Sequence, residues 1–125
     1  MKPVIVIHGG AGAISRSAMS GEKELEYHQA LAQVLRAGQK VLEEGGTAVD
    51  AVTAAVVELE NCPLFNAGRG AVFTSDATHE LDAAIMDGRT LRTGAIANVH
   101  HVRNPILAAR QVMQASRHVF FVGEG

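Results

Sequence analysis

The residues with the clearest chemical potential form a glycine loop at the end of an apolar run: Val4-Ile5-Val6-Ile7 leads into His8-Gly9-Gly10-Ala11-Gly12. Glycines after a strand leave backbone N–H groups free and let another group approach the main chain closely. That suits a phosphate, an oxyanion or a neighbouring nucleophile alike. The plain alternative is a tight strand-to-loop turn. A second loop, Asn61-Cys62-Pro63-Leu64-Phe65-Asn66-Ala67-Gly68-Arg69-Gly70, bends at Pro63, Gly68 and Gly70. So sharp a bend turns carbonyls inward, and inward carbonyls need a partner. A hard cation is one partner and ordered water is another. Asn66 is short and polar, suited to holding the loop or a reacting group.

Other chemistries find less support. No Gly-x-Ser-x-Gly elbow surrounds any serine. Cys62 is a conceivable nucleophile, but no histidine is placed by sequence to activate it, and a small buried residue is the simpler reading. His100 and His101 are adjacent on an expected strand, so their side chains point to opposite faces and do not share an ion. His8 borders the glycine loop and is read as a histidine that orients it. The phosphate-binding Gly-Lys-Ser/Thr ending is absent, and Gly10-x-Gly12-x-x-Ser15 is one glycine short of the dinucleotide pattern. Asp76, Asp82 and Asp87 are read as turn and surface residues, since nothing pairs two carboxylates across a cleft.

These loops need elements to hold them. Val4 to Ile7 reads as a strand buried on both faces. A helix is expected from near Ser20, with the apolar stripe Leu31, Val34, Leu35, Gly38, Val41 and Leu42, ending at Gly45-Gly46. Thr47 and Asp50 form a capping box for a second helix, Ala48 to Leu59, which is apolar nearly all round and so lies between layers. Gly70 to Ser75 reads as a short strand. Glu80 to Met86 and Thr90 to His100 read as a hairpin turning at Asp87-Gly88. Asn104-Pro105 caps a helix, and His118 to Val122 is a last strand. An antiparallel hairpin among helices argues against a simple doubly wound parallel sheet.

Composition narrows the classes. The 125 residues are 47% hydrophobic, with a formal net charge of −2 and 4% aromatics, so a core can form and no basic stripe supports nucleic-acid binding. Cys62 is the single cysteine, which leaves no internal disulfide. The apolar run at the N-terminus is too short for a signal peptide or a membrane span. A cytoplasmic protein is expected.

The loops gain meaning together. His8-Gly9-Gly10-Ala11-Gly12, Cys62-Pro63-Leu64-Phe65-Asn66-Ala67-Gly68-x-Gly70-Ala71-Val72-Phe73, Glu80-Leu81-Asp82-Ala83-x-Ile85-Met86-Asp87-Gly88 and Arg103-Asn104-Pro105 occur in order. The chain resembles the N-terminal part of the isoaspartyl peptidase and plant-type L-asparaginase family, related to aspartylglucosaminidase. The resemblance spans essentially the whole chain. It implies an α/β (α+β) fold, the N-terminal portion of an αββα four-layer sandwich of the N-terminal-nucleophile hydrolase type. It also implies hydrolysis of L-asparagine and β-aspartyl peptides by an N-terminal threonine, freed by autocleavage, whose own amine serves as base.

On that resemblance, residues 1–125 are a single incomplete domain of the α-subunit, ending before the cleavage threonine and expected to be inactive and poorly folded alone. The expected partner is a C-terminal β-chain carrying the threonine, in a dimer of αβ units. A structural sodium ion is implied on the backbone oxygens of Leu59, Glu60, Cys62, Phe65, Ala67 and Arg69. His8, Gly9, Gly10 and Asn66 are implied as support for the active site. Two other readings stand beside this one. In the first, an esterase uses His8-Gly9-Gly10 as an oxyanion loop and a serine elbow downstream. In the second, the chain is a non-catalytic assembly module.

Overall fold

The computed structural model describes residues 2–12 and 15–124. Ala13 and Ile14 lie outside the described residues, as do Met1 and Gly125. Among the described residues the chain forms α1 (Gly21–Glu43), α2 (Ala48–Asn61), β1 (Leu81–Met86), β2 (Thr93–Val99), α3 (Pro105–Ala115) and β3 (Phe120–Val122). Short 3-10 turns lie at Arg16–Ala18 and Gly68–Gly70. The class is α+β: helices against a small mixed sheet.

The helix starts follow their caps. The Ser20 hydroxyl accepts from the Lys23 N–H at the head of α1, where Glu22 and Glu24 face the positive end of the dipole. Thr47 and Asp50 close a full capping box on α2. α2 is apolar on two faces because it has two neighbours. Ala51 and Ala55 meet Gly38 of α1, where a Cβ would stand 3.1 Å from the Ala51 carbonyl oxygen. Val49, Val56 and Val57 pack instead on the core made by Ile85, Ile96, Ile106, Ala109 and Met113.

The sheet order is β1-β2-β3, with β1–β2 antiparallel and β2–β3 parallel. The β2-α3-β3 crossover lays α3 on the sheet. Gly94 makes that close approach possible, since a Cβ there would collide with the Ala109 carbonyl oxygen and the Met113 N–H nitrogen. A bulge interrupts β1–β2 between Leu81 and Ala83. Asn98 takes a positive φ of 53° there, and its N–H donates to Asp82 Oδ1 at 2.8 Å.

Several expectations are corrected. Val4 to Ile7 is extended but is not part of the sheet. It is not buried on both faces either: Val4 and Val6 are 82% and 85% exposed, while Ile5 and Ile7 are half-buried beside Val52, Ala55 and Val56 of α2. Its β-branched run is satisfied on one side by helix contacts. Gly70 to Ser75 contains no strand, because the loop tightens into its 3-10 turn and then runs as coil. The hairpin does not turn at Asp87-Gly88 alone. Asp87 to Arg92 forms a wider connection in which the Leu91 N–H donates to the Asp87 carbonyl, and the positive φ falls on Leu91. β3 is shorter than expected, and β2 strand-pairs with it.

Asn104 precedes α3 but makes no side-chain cap. Its amide instead donates to Glu60 Oε2 at 3.0 Å and to Asn61 Oδ1 at 3.3 Å. The cap comes from α2: Glu60 Oε1 accepts the Ile106 N–H at 2.9 Å.

Candidate active site

The two loops singled out by sequence share one cleft. His8–Gly12 forms one wall and Leu64–Ala67 the other, around a space of about 600 Å³, with Tyr27, Leu59 and Val72 completing it. The walls touch at Gly9 and Phe65. A Cβ on Gly9 would stand 3.0 Å from Phe65 Cε1 and 3.1 Å from Leu31 Cδ2, so the contact depends on the missing side chain.

Each wall is braced locally. His8 Nδ1 accepts the Gly10 N–H at 3.2 Å, which places any single ring proton on Nε2 and bears out the loop-orienting reading of His8. Gly10 sits at φ 122°, outside the range most residues adopt. Phe65 is buried, and the Tyr27 ring meets it edge-on at a centroid distance of 6.1 Å and an interplanar angle of 75°. The Tyr27 hydroxyl donates to the Leu64 carbonyl at 3.4 Å. Asn66 Oδ1 accepts the Val72 N–H at 3.0 Å, which ties the loop's tip to its exit. Sequence reasoning missed Tyr27, whose single signal was an aromatic among the charges of α1's first turns.

The loop carrying Asn66 is wound on its own carbonyls. The Phe65 carbonyl accepts from Ala67 N–H at 2.8 Å, and the Ala67 carbonyl from Gly70 N–H at 3.0 Å. The Leu59 carbonyl accepts from Cys62 N–H at 3.3 Å, and the Cys62 carbonyl from Phe65 N–H at 3.5 Å. Each of these oxygens keeps a second lone pair. Gly68 and Gly70 pack directly against this backbone: a Cβ on Gly68 would lie 2.6 Å from the Glu60 carbonyl oxygen, and one on Gly70 would strike that of Phe65. A cation on these oxygens would share them with the N–H groups they already accept from. A divalent ion would want carboxylates, and the nearby Glu60 carboxylate is committed to α3.

Glu60 is 3% exposed. Burial pushes its carboxyl above the ordinary carboxylate range, against the pull of the Asn104 and Ile106 hydrogen bonds. Cys62 caps the end of α2 and borders a small space with Gln33 and Glu58, apart from the His8–Gly12 wall. His100 and His101 lie just past β2, not on it, with ring centroids 6.3 Å apart, and His100 Nδ1 lies 2.9 Å from the His79 carbonyl oxygen. Among the described residues no group of three His, Cys, Asp or Glu side chains could hold a metal ion. No described helix is long and apolar enough to cross a membrane.

With this geometry in place, comparison with known proteins is decisive. The profile of the family described as asparaginase matches residues 1–125. The chain belongs to the asparaginase family. Among curated members, it is 64% identical over 124 residues to the isoaspartyl peptidase of Salmonella typhimurium, covering 99% of this chain and 40% of that protein. It is 46% identical over 121 residues to the plant-type L-asparaginase of Pyrococcus abyssi, covering 97% of this chain and 38% of the relative. It is 44% identical over 126 residues to the human isoaspartyl peptidase/L-asparaginase, covering 100% of this chain and 39% of the relative. The chain therefore spans about 40% of the length of these family members.

Proposed function

We propose that this chain is the N-terminal, α-subunit part of an amidohydrolase that cleaves β-aspartyl peptide bonds and the side-chain amide of L-asparagine. The observation that carries the reading is the junction of the His8–Gly12 and Leu64–Ala67 walls at Gly9 and Phe65, in a chain 64% identical to an isoaspartyl peptidase. Both walls border one space, which Asn66 also lines, and the described cleft holds no paired nucleophile and base of its own. The reacting group then comes from the remainder of the protein.

In this reading the remainder carries a threonine made N-terminal by autocleavage. It completes an αββα sandwich by adding strands beside β1–β3 and the exposed Val4–Ile7 segment. Asn66 orients the threonine, and the backbone of Gly9 and Gly10 forms the wall beside it. A sodium ion on the backbone oxygens of Leu59, Glu60, Cys62, Phe65, Ala67 and Arg69 supplies fixed positive charge that holds the Asn66 loop in shape. A dimer of αβ units in the cytoplasm is the assembly proposed. The relatives' names point to amide hydrolysis rather than to the esterase reading.

The test is turnover by the complete protein. Incubated with β-aspartyl-leucine and, separately, with L-asparagine, it should release free aspartate from both. No aspartate from either, with a full-length ester-cleaving activity instead, would overturn the assignment.

A further inference from the structure

Glu60 joins the cleft loop to the sheet layer through both its side chain and its main chain. Its carboxylate reaches α3, where Oε1 accepts the Ile106 N–H at 2.9 Å and Oε2 accepts the Asn104 amide at 3.0 Å. Its main chain backs the returning arm of the cleft loop, where Gly68, at φ 50°, passes so close that a Cβ would lie 2.6 Å from the Glu60 carbonyl oxygen and 2.8 Å from its Cβ. Between those two attachments lies the segment that carries Phe65 and Asn66.

We propose that Glu60, acting with Asn104, is a positioning residue: the pair fixes the Asn66 loop against the head of α3 and so sets where Asn66 stands in the cleft. This rests on the functional reading given above. Burying a carboxylate costs stability that an apolar side chain of like size would not. What the carboxylate adds is direction, since two donors on α3 hold it to one rotamer. An apolar contact at the same place would let the end of α2 slide or turn on α3 by fractions of an ångström. The loop begins at that end of α2, so such a shift passes directly to Asn66.

The experiment uses the complete protein and exchanges donor and acceptor across the pair. Glu60→Gln sets an amide N–H2 against the Asn104 amide; Asn104→Asp sets a carboxylate against a carboxylate. In the double variant the introduced amide donates to the introduced carboxylate, its carbonyl still accepts from Ile106 N–H, and the Asn61 amide turns over to donate to that carboxylate in place of accepting from Asn104. Turnover of β-aspartyl-leucine is normalised to the number of freed N-terminal threonines, counted by intact mass. Each single variant should lower kcat about tenfold with KM held within about twofold, as a misplaced reacting geometry does. The double variant should regain at least half of the wild-type kcat.

Single variants with wild-type kcat per threonine and only a lowered melting temperature would overturn the proposal, leaving Glu60 a structural cap. A double variant no better than the singles would overturn it as well. If Glu60→Gln does not fold, Asn104→Ala keeps the Ile106 bond and gives the same readout, and an unchanged kcat there also refutes the proposal. The Asn66 side-chain amide resonances, assigned with Asn66→Asp, report placement without turnover. Both singles should shift them and the double should restore them. If the wild-type protein releases no aspartate, the functional reading fails, and these resonances still decide whether Glu60 positions Asn66.

Discussion

Asp50 of α2 and Arg110 of α3 form an ion pair, and the same carboxylate closes the capping box with Thr47. One side chain thus begins a helix and fastens it to the next. The Arg110 guanidinium also reaches the Thr53 hydroxyl at 3.3 Å. Together the Thr47 hydrogen bonds and Arg110 lower the Asp50 carboxyl from 3.8 to about 2.

A depressed carboxylate pKa gives stability that is fully present above its unfolded value and is lost as pH falls through the folded one. For Asp50 that window runs from 3.8 down to about 2. Asp50→Asn removes the titration. Urea midpoints followed across the window should fall more steeply for wild type than for the variant, and the two should converge at the acid end. Parallel profiles would show that the pair contributes nothing to folding. Solvent reaches the pair, so the expected difference is small.

Gly94 lies where α3 crosses β2. Gly94→Ala places a methyl group against the backbone of Ala109 and Met113, which has no rotamer to yield. A cost of about 3 kcal/mol or more is expected, at the upper end of overpacking penalties. The guanidinium-chloride midpoint of the protein measures it. A loss under about 1 kcal/mol would mean that α3 lifts off the sheet without strain.

How much of this was legible beforehand depends on whether the information was local. Ser20, Thr47 and Asp50 announced the starts of α1 and α2, because a cap is written within a few residues of what it caps. The two-sided packing of α2 was legible in its apolar circumference. The cleft was legible as two loops, though their junction at Gly9 and Phe65 is tertiary. Asn104 misled for the same reason: it looks like a cap, yet its amide serves Glu60 and the capping carboxylate comes from forty-six residues away. The signal available was a second glutamate, Glu60 after Glu58, at the end of an otherwise apolar helix. For Val4 to Ile7 the β-branched composition gave the extended backbone correctly, but it could not say which neighbour would pair with it, and among the described residues none does.

Asn66 lines the cleft and accepts the Val72 N–H with its Oδ1, and its amide donor is proposed to serve the reacting group. Asn66→Asp keeps the acceptor and loses the donor; Asn66→Ala loses both. In the complete protein both should lower kcat for β-aspartyl-leucine about 100-fold. Only Asn66→Ala should also lower the melting temperature, by the loss of a hydrogen bond of about 1 kcal/mol. Full activity in Asn66→Asp would show that the amide donor plays no part.

Sodium should act on the same loop. Replacing it with tetramethylammonium at constant ionic strength should lower the melting temperature of the complete protein. Restored sodium should raise it with a saturable dependence, as a ligand bound only to the folded state does. A melting temperature indifferent to the cation would remove the ion from the account.

The His8–Gly12 and Leu64–Ala67 walls are proposed to border the reacting space. Diffraction from crystals of the complete protein soaked in L-aspartate, the product of both proposed reactions, tests this placement. Aspartate is expected beside the freed threonine, with Asn66 within hydrogen-bond reach of that threonine and Gly9–Gly10 forming the adjoining wall. Aspartate bound in a space that neither loop borders would contradict it.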